Sequence, residues 1–268
     1  DMRLYKSRAE VAVMRRAARL SAKAHIELMR RCESGMQEYQ LASVFSHHCQ
    51  MGGAGQLAYP SIVGGGDNAC VLHYIENSQP LQDGDLVLVD AGCELDCYAS
   101  DITRTFPING RFSDAQRALY ELVLAAQLAA IGKARAGNHW NDPHQAAVRV
   151  LTKGLLKLGL LRGTLAKALK AKSYTRFYMH RTGHWLGMDV HDVGDYKVDG
   201  HWRELEPGMV LTIEPGLYIP KGAKGVAKKW QGIGIRIEDD VLVTRAEPDV
   251  LSRDAPKTVQ QIEALMAR

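Results

Sequence analysis

The stretch LVLVDAGCELDCYASDITRTF, residues 86–106, is the part of the sequence that decides the fold. Its apolar beginning and its β-rich end predict two strands. Together they predict a β-hairpin that turns at residues 95–96. In a hairpin with that turn, Asp90 lies opposite Asp101 on the same face of the sheet.

The two aspartates of this hairpin are the first sign of chemistry. A charged carboxylate at the end of an apolar strand is costly unless it is paired or binds a metal. Two opposed carboxylates also repel each other, so a cation between Asp90 and Asp101 is the economical explanation. The structural alternative, taken from these residues alone, is that Asp101 caps a turn and Asp90 ends a strand.

Outward from the hairpin, helical and strand-like patterns alternate in two rounds. Ser7 and Glu10 have the spacing of a capping box, which predicts a helix start. Gly64-Gly65-Gly66 predicts a turn and not a phosphate loop, because no Lys-Ser/Thr follows. Helices followed by strands, twice over, predict one α+β domain of two similar halves over residues 1–268. The predicted helices are 7–31, 39–50, 114–135, 143–158 and 257–266, and the later strands are 209–213, 217–219, 233–237 and 241–243.

Composition excludes several classes of protein. Of 268 residues, 46% are hydrophobic and 24% are charged, which is typical of a globular chain and excludes disorder. A net charge of +4, with acids and bases interleaved, gives no reason to expect a nucleic-acid partner. No apolar run reaches the ~20 residues of a membrane span, and no signal peptide is indicated. The five cysteines show no CxxC spacing, which favours buried or half-buried thiols and a cytoplasmic location.

Three histidines and two glutamates add to the aspartates. His180, His184 and His191 lie within twelve positions, without the HExxH spacing of a zincin. Glu214 and Glu238 are each embedded in an apolar β run. Taken singly, such a histidine is usually a satisfied core residue and such a glutamate a strand-end charge facing solvent. As an oxygen-rich set without sulfur, however, they predict two hard or borderline divalent ions.

Six motifs, in order along the chain, resemble one known family. They are HYIEN (73–77), DAG (90–92), SDITRTFP (100–107), GHWLGMDVHDVG (183–194), TIEPGLYI (212–219) and GIRIEDDVLVT (234–244). The set closely resembles the bacterial Xaa-Pro aminopeptidases, which belong to the pita-bread metallopeptidases. The resemblance implies a pita-bread fold, with two pseudo-symmetric halves and a curved β-sheet covered by helices.

The same resemblance assigns roles residue by residue. It implies that Asp90 chelates one metal ion, and that Asp101 and Glu238 bridge both ions. His184 and Glu214 hold the other ion, and Glu214 is also the candidate proton shuttle. The family's remaining active-site residues match His73, His180, His191 and Arg236. Mn²⁺ fits this ligand set best.

The implied activity is hydrolysis of the amino-terminal bond of peptides that carry proline second. One alternative is a prolidase, which cleaves Xaa-Pro dipeptides; Trp185 after His184 favours the aminopeptidase, since proline often stands there in prolidases. The alternative from another class is a catalytically inactive pita-bread module that binds peptides, although such modules lack the metal ligands.

Two departures from the family pattern bear on these expectations. Family members carry a separate amino-terminal domain that helps to assemble oligomers, whereas this chain begins at the first helix of the catalytic domain, so a homo-oligomer stays open. Cys97 stands where the family often has glycine, which predicts a less tight hairpin turn.

Overall fold

The computed structural model of the chain describes residues 2–267. Within them the helices are α1 (Arg8–Arg31), α2 (Glu38–Met51), α3 (Asp114–Ile131), α4 (Asn141–Lys157), α5 (Leu165–Lys170) and α6 (Val259–Met266). Helix α1 begins as its sequence predicts, because the Ser7 side chain accepts from the Glu10 amide and the Glu10 carboxylate accepts from the Ser7 amide. None of the described helices has the length and apolar character needed to cross a membrane.

The strands form small antiparallel sheets. They are β1 (Gln56–Leu57), β2 (Ile62–Gly65), β3 (Leu86–Asp90), β4 (Cys93–Leu95), β5 (Tyr98–Ala99), β6 (Thr103–Pro107), β7 (Lys197–Val198), β8 (His201–Trp202), β9 (Val210–Ile213), β10 (Gly216–Ile219), β11 (Ile233–Arg236), β12 (Asp239–Leu242) and β13 (Asp249–Val250). The strand orders are β2-β3-β6, β1-β4-β5, β13-β12-β9, β10-β11 and β7-β8. The mixed α+β class is therefore as predicted.

Two successive groups of helices and strands meet along one seam. Helices α1 and α2 precede β2, β3 and β6, and helices α3 and α4 precede β9 to β12. At the seam the Glu238 amide donates to the Thr103 carbonyl (3.1 Å), and Thr105 Oγ1 donates to the Arg236 carbonyl (3.0 Å). Apolar side chains of both groups share one buried core.

A fully buried arginine ties the seam together. Arg104 on β6 donates through Nη2 to Asp239 Oδ1 at 2.8 Å and through Nη1 to the Glu238 carbonyl at 2.5 Å. Lys257 also contacts Asp239, at 2.6 Å. Burial raises the pKa of Asp239, but the charges of Arg104 and Lys257 outweigh it and hold that pKa well below its usual range. The ionised network therefore fixes the backbone on both sides of Glu238.

The register of the central hairpin differs from the prediction. Leu95 pairs with Tyr98, so the turn residues are Asp96 and Cys97 rather than 95–96. Both have positive φ (49° and 68°), as a two-residue type I′ turn requires. The tight turn is therefore kept without glycine, and Cys97 is exposed rather than buried or half-buried.

This register changes the partner of the first aspartate. Asp90 lies opposite Thr103 and not opposite Asp101, which makes that prediction wrong. The physical reason is the turn. Because it lies one position later than predicted, each residue of the first strand pairs with a residue two positions further along the second strand. Asp101 lies between β5 and β6, where its amide donates to the buried Asp240 carboxylate at 3.1 Å.

The predicted glycine turn is also wrong in part. Gly64 and Gly65 lie in strand β2, and only Gly66 leaves it, to begin a short 3₁₀ helix. A Cβ on Gly64 would lie 2.9 Å from the Ala69 amide nitrogen. Glycine is required there because the helix packs back onto the strand, not because the chain turns.

Candidate metal centre

The seam between the two groups of strands carries a cavity of about 460 Å³. Every site residue that the sequence predicts lines this cavity: His73, Asp90, Asp101, His180, His184, His191, Glu214, Arg236 and Glu238. They come from separate strands and loops, so the fold itself produces the cluster. Tyr59 and Arg181, which the sequence reasoning did not single out, line it too.

Asp90 and Asp101 approach each other at a tyrosine. The Tyr59 hydroxyl lies 2.7 Å from Asp90 Oδ1 and 2.6 Å from Asp101 Oδ1. The two carboxylates therefore converge although they are not cross-strand partners. Burial raises the pKa of Tyr59 well above its usual value, so the phenol stays neutral.

Close backbone pairing brings His184 beside Glu214. The Thr212 amide donates to the His184 carbonyl at 2.9 Å, and the Glu214 amide donates to the Thr182 carbonyl at 2.8 Å. Gly183 permits this approach, since a Cβ there would lie 2.0 Å from the Thr212 carbonyl oxygen. His184 Nε2 consequently lies 3.7 Å from Glu214 Oε1.

His184, Asp101 and Glu238 form the tightest group of donor atoms. Their ligand atoms all lie within 4.8 Å of one another. His184 Nε2 is 3.2 Å from Asp101 Oδ2. Burial lowers the pKa of His184, but the hydrogen bond and charge of Asp101 outweigh it and raise that pKa to about 9. The same contact outweighs the burial of Asp101 and lowers its pKa.

The pKa values of both glutamates in the cavity are raised. Burial raises the pKa of Glu214 to about 7. Burial, together with repulsion by Asp101, Glu214 and Asp90, raises the pKa of Glu238 well above its usual value. The cavity thus concentrates more carboxylates than its own cations neutralise.

Arg236 is the buried arginine among the described residues that line this cavity. Its Nη2 donates to Asp90 Oδ2 at 2.6 Å, and its Nε donates to Thr103 Oγ1 at 3.2 Å. Thr103 Oγ1 in turn donates to Glu238 Oε2 at 2.6 Å. One buried guanidinium therefore fixes Asp90 directly and Glu238 through a threonine.

His180 is held at both ring nitrogens. Its Nδ1 donates to the Arg181 carbonyl at 2.7 Å, and its Nε2 accepts from the Tyr218 hydroxyl at 2.8 Å. Tyr218 also accepts from Arg236 Nη1 at 3.1 Å. Burial, followed by the charge of Arg236, lowers the pKa of His180 to about 3, so the ring is neutral.

His73 and His191 approach the cavity on exposed loops. The loop of His73 is anchored by buried Glu38, which accepts hydrogen bonds from both sides of it, including the Tyr74 hydroxyl (2.8 Å) and the Gln79 amide (3.0 Å). The His191 ring lies 4.3 Å from the His184 ring. Within residues 2–267 no protein group hydrogen-bonds to the ring nitrogens of His191, so these nitrogens are available to a ligand.

A buried ion pair positions the loop of His191. Lys6 Nζ lies 3.1 Å from Asp192 Oδ2, and each side chain is only 1% exposed. Arg3 contacts the other oxygen of Asp192. The amino-terminal segment thereby fixes the residue next to His191.

The residues present fit divalent ions. His184 Nδ1 lies 3.0 Å from the Trp185 carbonyl, which can only accept, so Nδ1 carries a hydrogen and Nε2 faces Asp101 and Glu214. The donor set is four carboxylates and one imidazole, without a thiolate. Such a set suits hard or borderline cations, and their charge would offset the repulsion at Glu238.

Some of these positioning residues carried no signal in the sequence. Tyr59 contacts Asp90, 31 positions away, and Thr103 contacts Glu238, 135 positions away. Tyr218 on β10 contacts Arg236 on the neighbouring strand β11. A tyrosine or threonine in a β-rich run is ordinary, and only the folded arrangement distinguishes these.

Known proteins similar in sequence to this chain are metallopeptidases and Xaa-Pro peptidases. The family described as metallopeptidase family M24 matches residues 12–245. The Xaa-Pro aminopeptidase of Escherichia coli is 47% identical over 266 residues, which cover 99% of this chain and 60% of the relative. Human Xaa-Pro dipeptidase is 38% identical over 300 residues, covering 100% of this chain and 61% of the relative.

A solved structure gives the same result for the fold. The aminopeptidase PepP of Pseudomonas aeruginosa superimposes with a TM-score of 0.99 at 59% identity, over 100% of this chain and 60% of that one. The predicted pita-bread fold and the predicted family resemblance are thereby confirmed. The chain spans about three fifths of the length of these relatives. Because the family match covers most of its residues, the chain belongs to metallopeptidase family M24.

Proposed function

We propose that this chain hydrolyses the amino-terminal Xaa-Pro bond of peptides with the help of two divalent metal ions. The observation that carries the proposal is the convergence of four carboxylates and His184 in one cavity that contains a single buried arginine. The names of the relatives supply the Xaa-Pro preference.

Five residues are assigned to the ions. Asp90 would hold one ion, Asp101 and Glu238 would serve both, and His184 with Glu214 would hold the other. When bound, the ions supply an activated water nucleophile and charge that polarises the scissile carbonyl. The absence of thiolates from this set supports Mn²⁺ as the preferred metal.

Glu214 is the residue best suited to move a proton. Its carboxylate lies in the cavity, with Oε1 3.7 Å from His184 Nε2, where it can reach a water and a leaving group held beside the ions. We assign it to take a proton from the attacking water and to pass it to the leaving nitrogen. His180 lies 3.8 Å from Glu214 Oε2 but is engaged at both nitrogens, so we assign it to the wall of the active site beside the glutamate and not to proton transfer.

Two exposed histidines complete the reaction site. His73 and His191 line the cavity without being part of the tight donor group. Each can donate a hydrogen bond to the oxyanion that develops on the carbonyl. Arg236 holds Asp90 and, through Thr103, Glu238, so that the charges are arranged before substrate arrives.

The setting of the protein is part of the proposal. The substrates are peptides with proline second, and residues 1–268 act as one catalytic domain. The five cysteines, which form no disulfide within residues 2–267, support a reducing, cytoplasmic location. The oligomeric state is left to measurement.

Metal removal provides the first prediction. Chelator-treated protein is expected to be inactive, and Mn²⁺ is expected to restore activity better than Mg²⁺, because Mg²⁺ prefers all-oxygen octahedral sites and His184 supplies nitrogen. Activity is measured during titration with each metal, with bound metal determined by elemental analysis. Full activity after verified metal removal would refute the two-metal mechanism.

Substrate length separates the proposed activity from that of a dipeptidase. The similarity to human Xaa-Pro dipeptidase makes this rival specific. We expect kcat/KM for an Ala-Pro-Ala tripeptide to exceed that for an Ala-Pro dipeptide at least tenfold. The opposite order would assign the chain to dipeptidases, and hydrolysis of neither peptide would favour a binding module.

A further inference from the structure

One arginine among the residues that line the cavity has no acidic partner within residues 2–267. Arg181 lines the cavity together with Glu214 and His191, and its side chain is exposed. Among residues 2–267, no carboxylate oxygen lies within 4.0 Å of its guanidinium. Arg236, by contrast, is paired with Asp90 at 2.6 Å.

Arg181 is nevertheless held in position. Its Nη2 donates to Asn141 Oδ1 at 2.6 Å, and Asn141 is the first residue of helix α4. Its Cζ lies 4.9 Å from the ring centroid of Trp202 on strand β8. A guanidinium fixed by a helix and by an aromatic ring loses little conformational entropy when it binds a ligand.

A second cation lies on the same indole ring. Lys197 Nζ is 4.5 Å from the Trp202 centroid, and Lys197 pairs with Trp202 across the β7-β8 hairpin. In the part of the chain that the structure describes, this lysine also has no carboxylate within 4.0 Å, although Asp195 and Asp199 lie on the same segment. Two like charges sharing one ring favour the approach of an anion.

We propose that Arg181, assisted by Lys197, binds a carboxylate of the peptide substrate. The guanidinium fork matches a carboxylate in two parallel hydrogen bonds. This proposal rests on the proposed peptidase function and specifies its substrate class. The carboxylate is supplied either by the free carboxyl terminus of a short peptide or by an acidic side chain after the proline.

Three matched peptides distinguish these sources: Ala-Pro-Ala as the free acid, the same tripeptide as its amide, and the Ala-Pro-Asp amide. With metal-loaded protein, KM is expected to be about tenfold lower for at least one of the carboxylate peptides than for the Ala-Pro-Ala amide. A preference for the free acid identifies the carboxyl terminus, and a preference for the Asp amide identifies a side chain. Equal KM values for all three overturn the proposal.

Arg181→Gln tests the residue itself. It is expected to raise KM about tenfold for the preferred carboxylate peptide, while KM for the Ala-Pro-Ala amide and kcat for all three stay within about twofold. Arg176→Gln is the matched control, because it removes the same charge from an exposed arginine outside the cavity. An unchanged KM ratio in Arg181→Gln, or an equal loss in Arg176→Gln, overturns the assignment.

Binding keeps this test independent of catalysis. If the wild-type protein hydrolyses none of the peptides, the peptidase proposal fails, and calorimetric titration with the same peptides then decides on the subsite. Tighter binding of a carboxylate peptide by the wild type than by Arg181→Gln supports it. Equal affinities contradict it.

Discussion

Asp101→Asn and Glu238→Gln are each expected to lower peptidase turnover by about 10³-fold or more and to reduce the metal content. Asn and Gln keep the shape of the side chain but lose the charge that two cations require. Asp101 and Glu238 lie with His184 in the tightest donor group, so neutralising either one disturbs both proposed ions together. Turnover and bound metal are measured on the same preparations.

The two variants are expected to differ in stability without metal. Burial, together with repulsion by neighbouring carboxylates, raises the pKa of Glu238 and disfavours its charged form, so the Tm of chelator-treated Glu238→Gln should not fall. The pKa of Asp101 is lowered by its contact with His184. That stabilisation is present above the unfolded pKa of Asp101 and lost below its folded pKa, so Asp101→Asn should lower Tm at neutral pH.

A matched control separates the local charge from general damage. Glu94→Gln also replaces a glutamate by its neutral isostere. Glu94 lies on strand β4, seven positions before Asp101, and does not line the cavity. It is expected to leave turnover and metal content within about twofold. Near-normal turnover with a full metal complement in Asp101→Asn or Glu238→Gln would contradict the bridging role.

Much of the fold could be predicted from the sequence because the relevant signals are local. The capping box at Ser7 and Glu10 sets the start of α1, and the apolar runs mark the strands. The hairpin register could not be predicted, because it depends on Asp96 and Cys97 both adopting positive φ. Residues other than glycine rarely do so, and composition does not reveal when they will.

Some residues of the site could likewise be predicted from the sequence, and others could not. His73 and Arg236 depended on the family resemblance. Acids within apolar runs and histidines close together are conspicuous, so the other predicted site residues could be singled out from the sequence itself: Asp90, Asp101, His180, His184, His191, Glu214 and Glu238. Their neighbours could not, because the contacts join distant parts of the chain: Tyr59 reaches Asp101 across 42 positions, and Thr103 reaches Glu238 across 135. Arg181 carries no signal in the sequence, because its contact with Trp202, 21 positions away, arises only in the folded chain.

The histidines allow metal ligation to be separated from catalysis. His184→Ala is expected to release metal, because its Nε2 faces Asp101 and Glu214 and belongs to the tight donor group. His191→Ala is expected to keep both metals and to lower turnover by about 10²–10³-fold. The loss arises because a hydrogen bond that strengthens as charge moves onto the carbonyl oxygen lowers the barrier but adds little to ground-state binding.

The structure supports this division through the surroundings of the two rings. His184 is fixed by the Trp185 carbonyl, whereas the His191 ring has no hydrogen-bond partner within residues 2–267 and is exposed at the cavity. Its loop is held instead through Asp192 and Lys6. Removing the His191 imidazole therefore leaves the ligands and the buried ion pair in place.

A paired measurement of bound metal and of turnover on an Xaa-Pro tripeptide decides between these roles. His191→Gln serves as the conservative variant, because its amide can still donate a hydrogen bond and should recover part of the activity lost in His191→Ala. KM should change much less than kcat in both His191 variants, since the donor acts on the transition state. If His191→Ala loses metal as readily as His184→Ala, or turns over normally, the assignment of His191 to transition-state stabilisation is wrong.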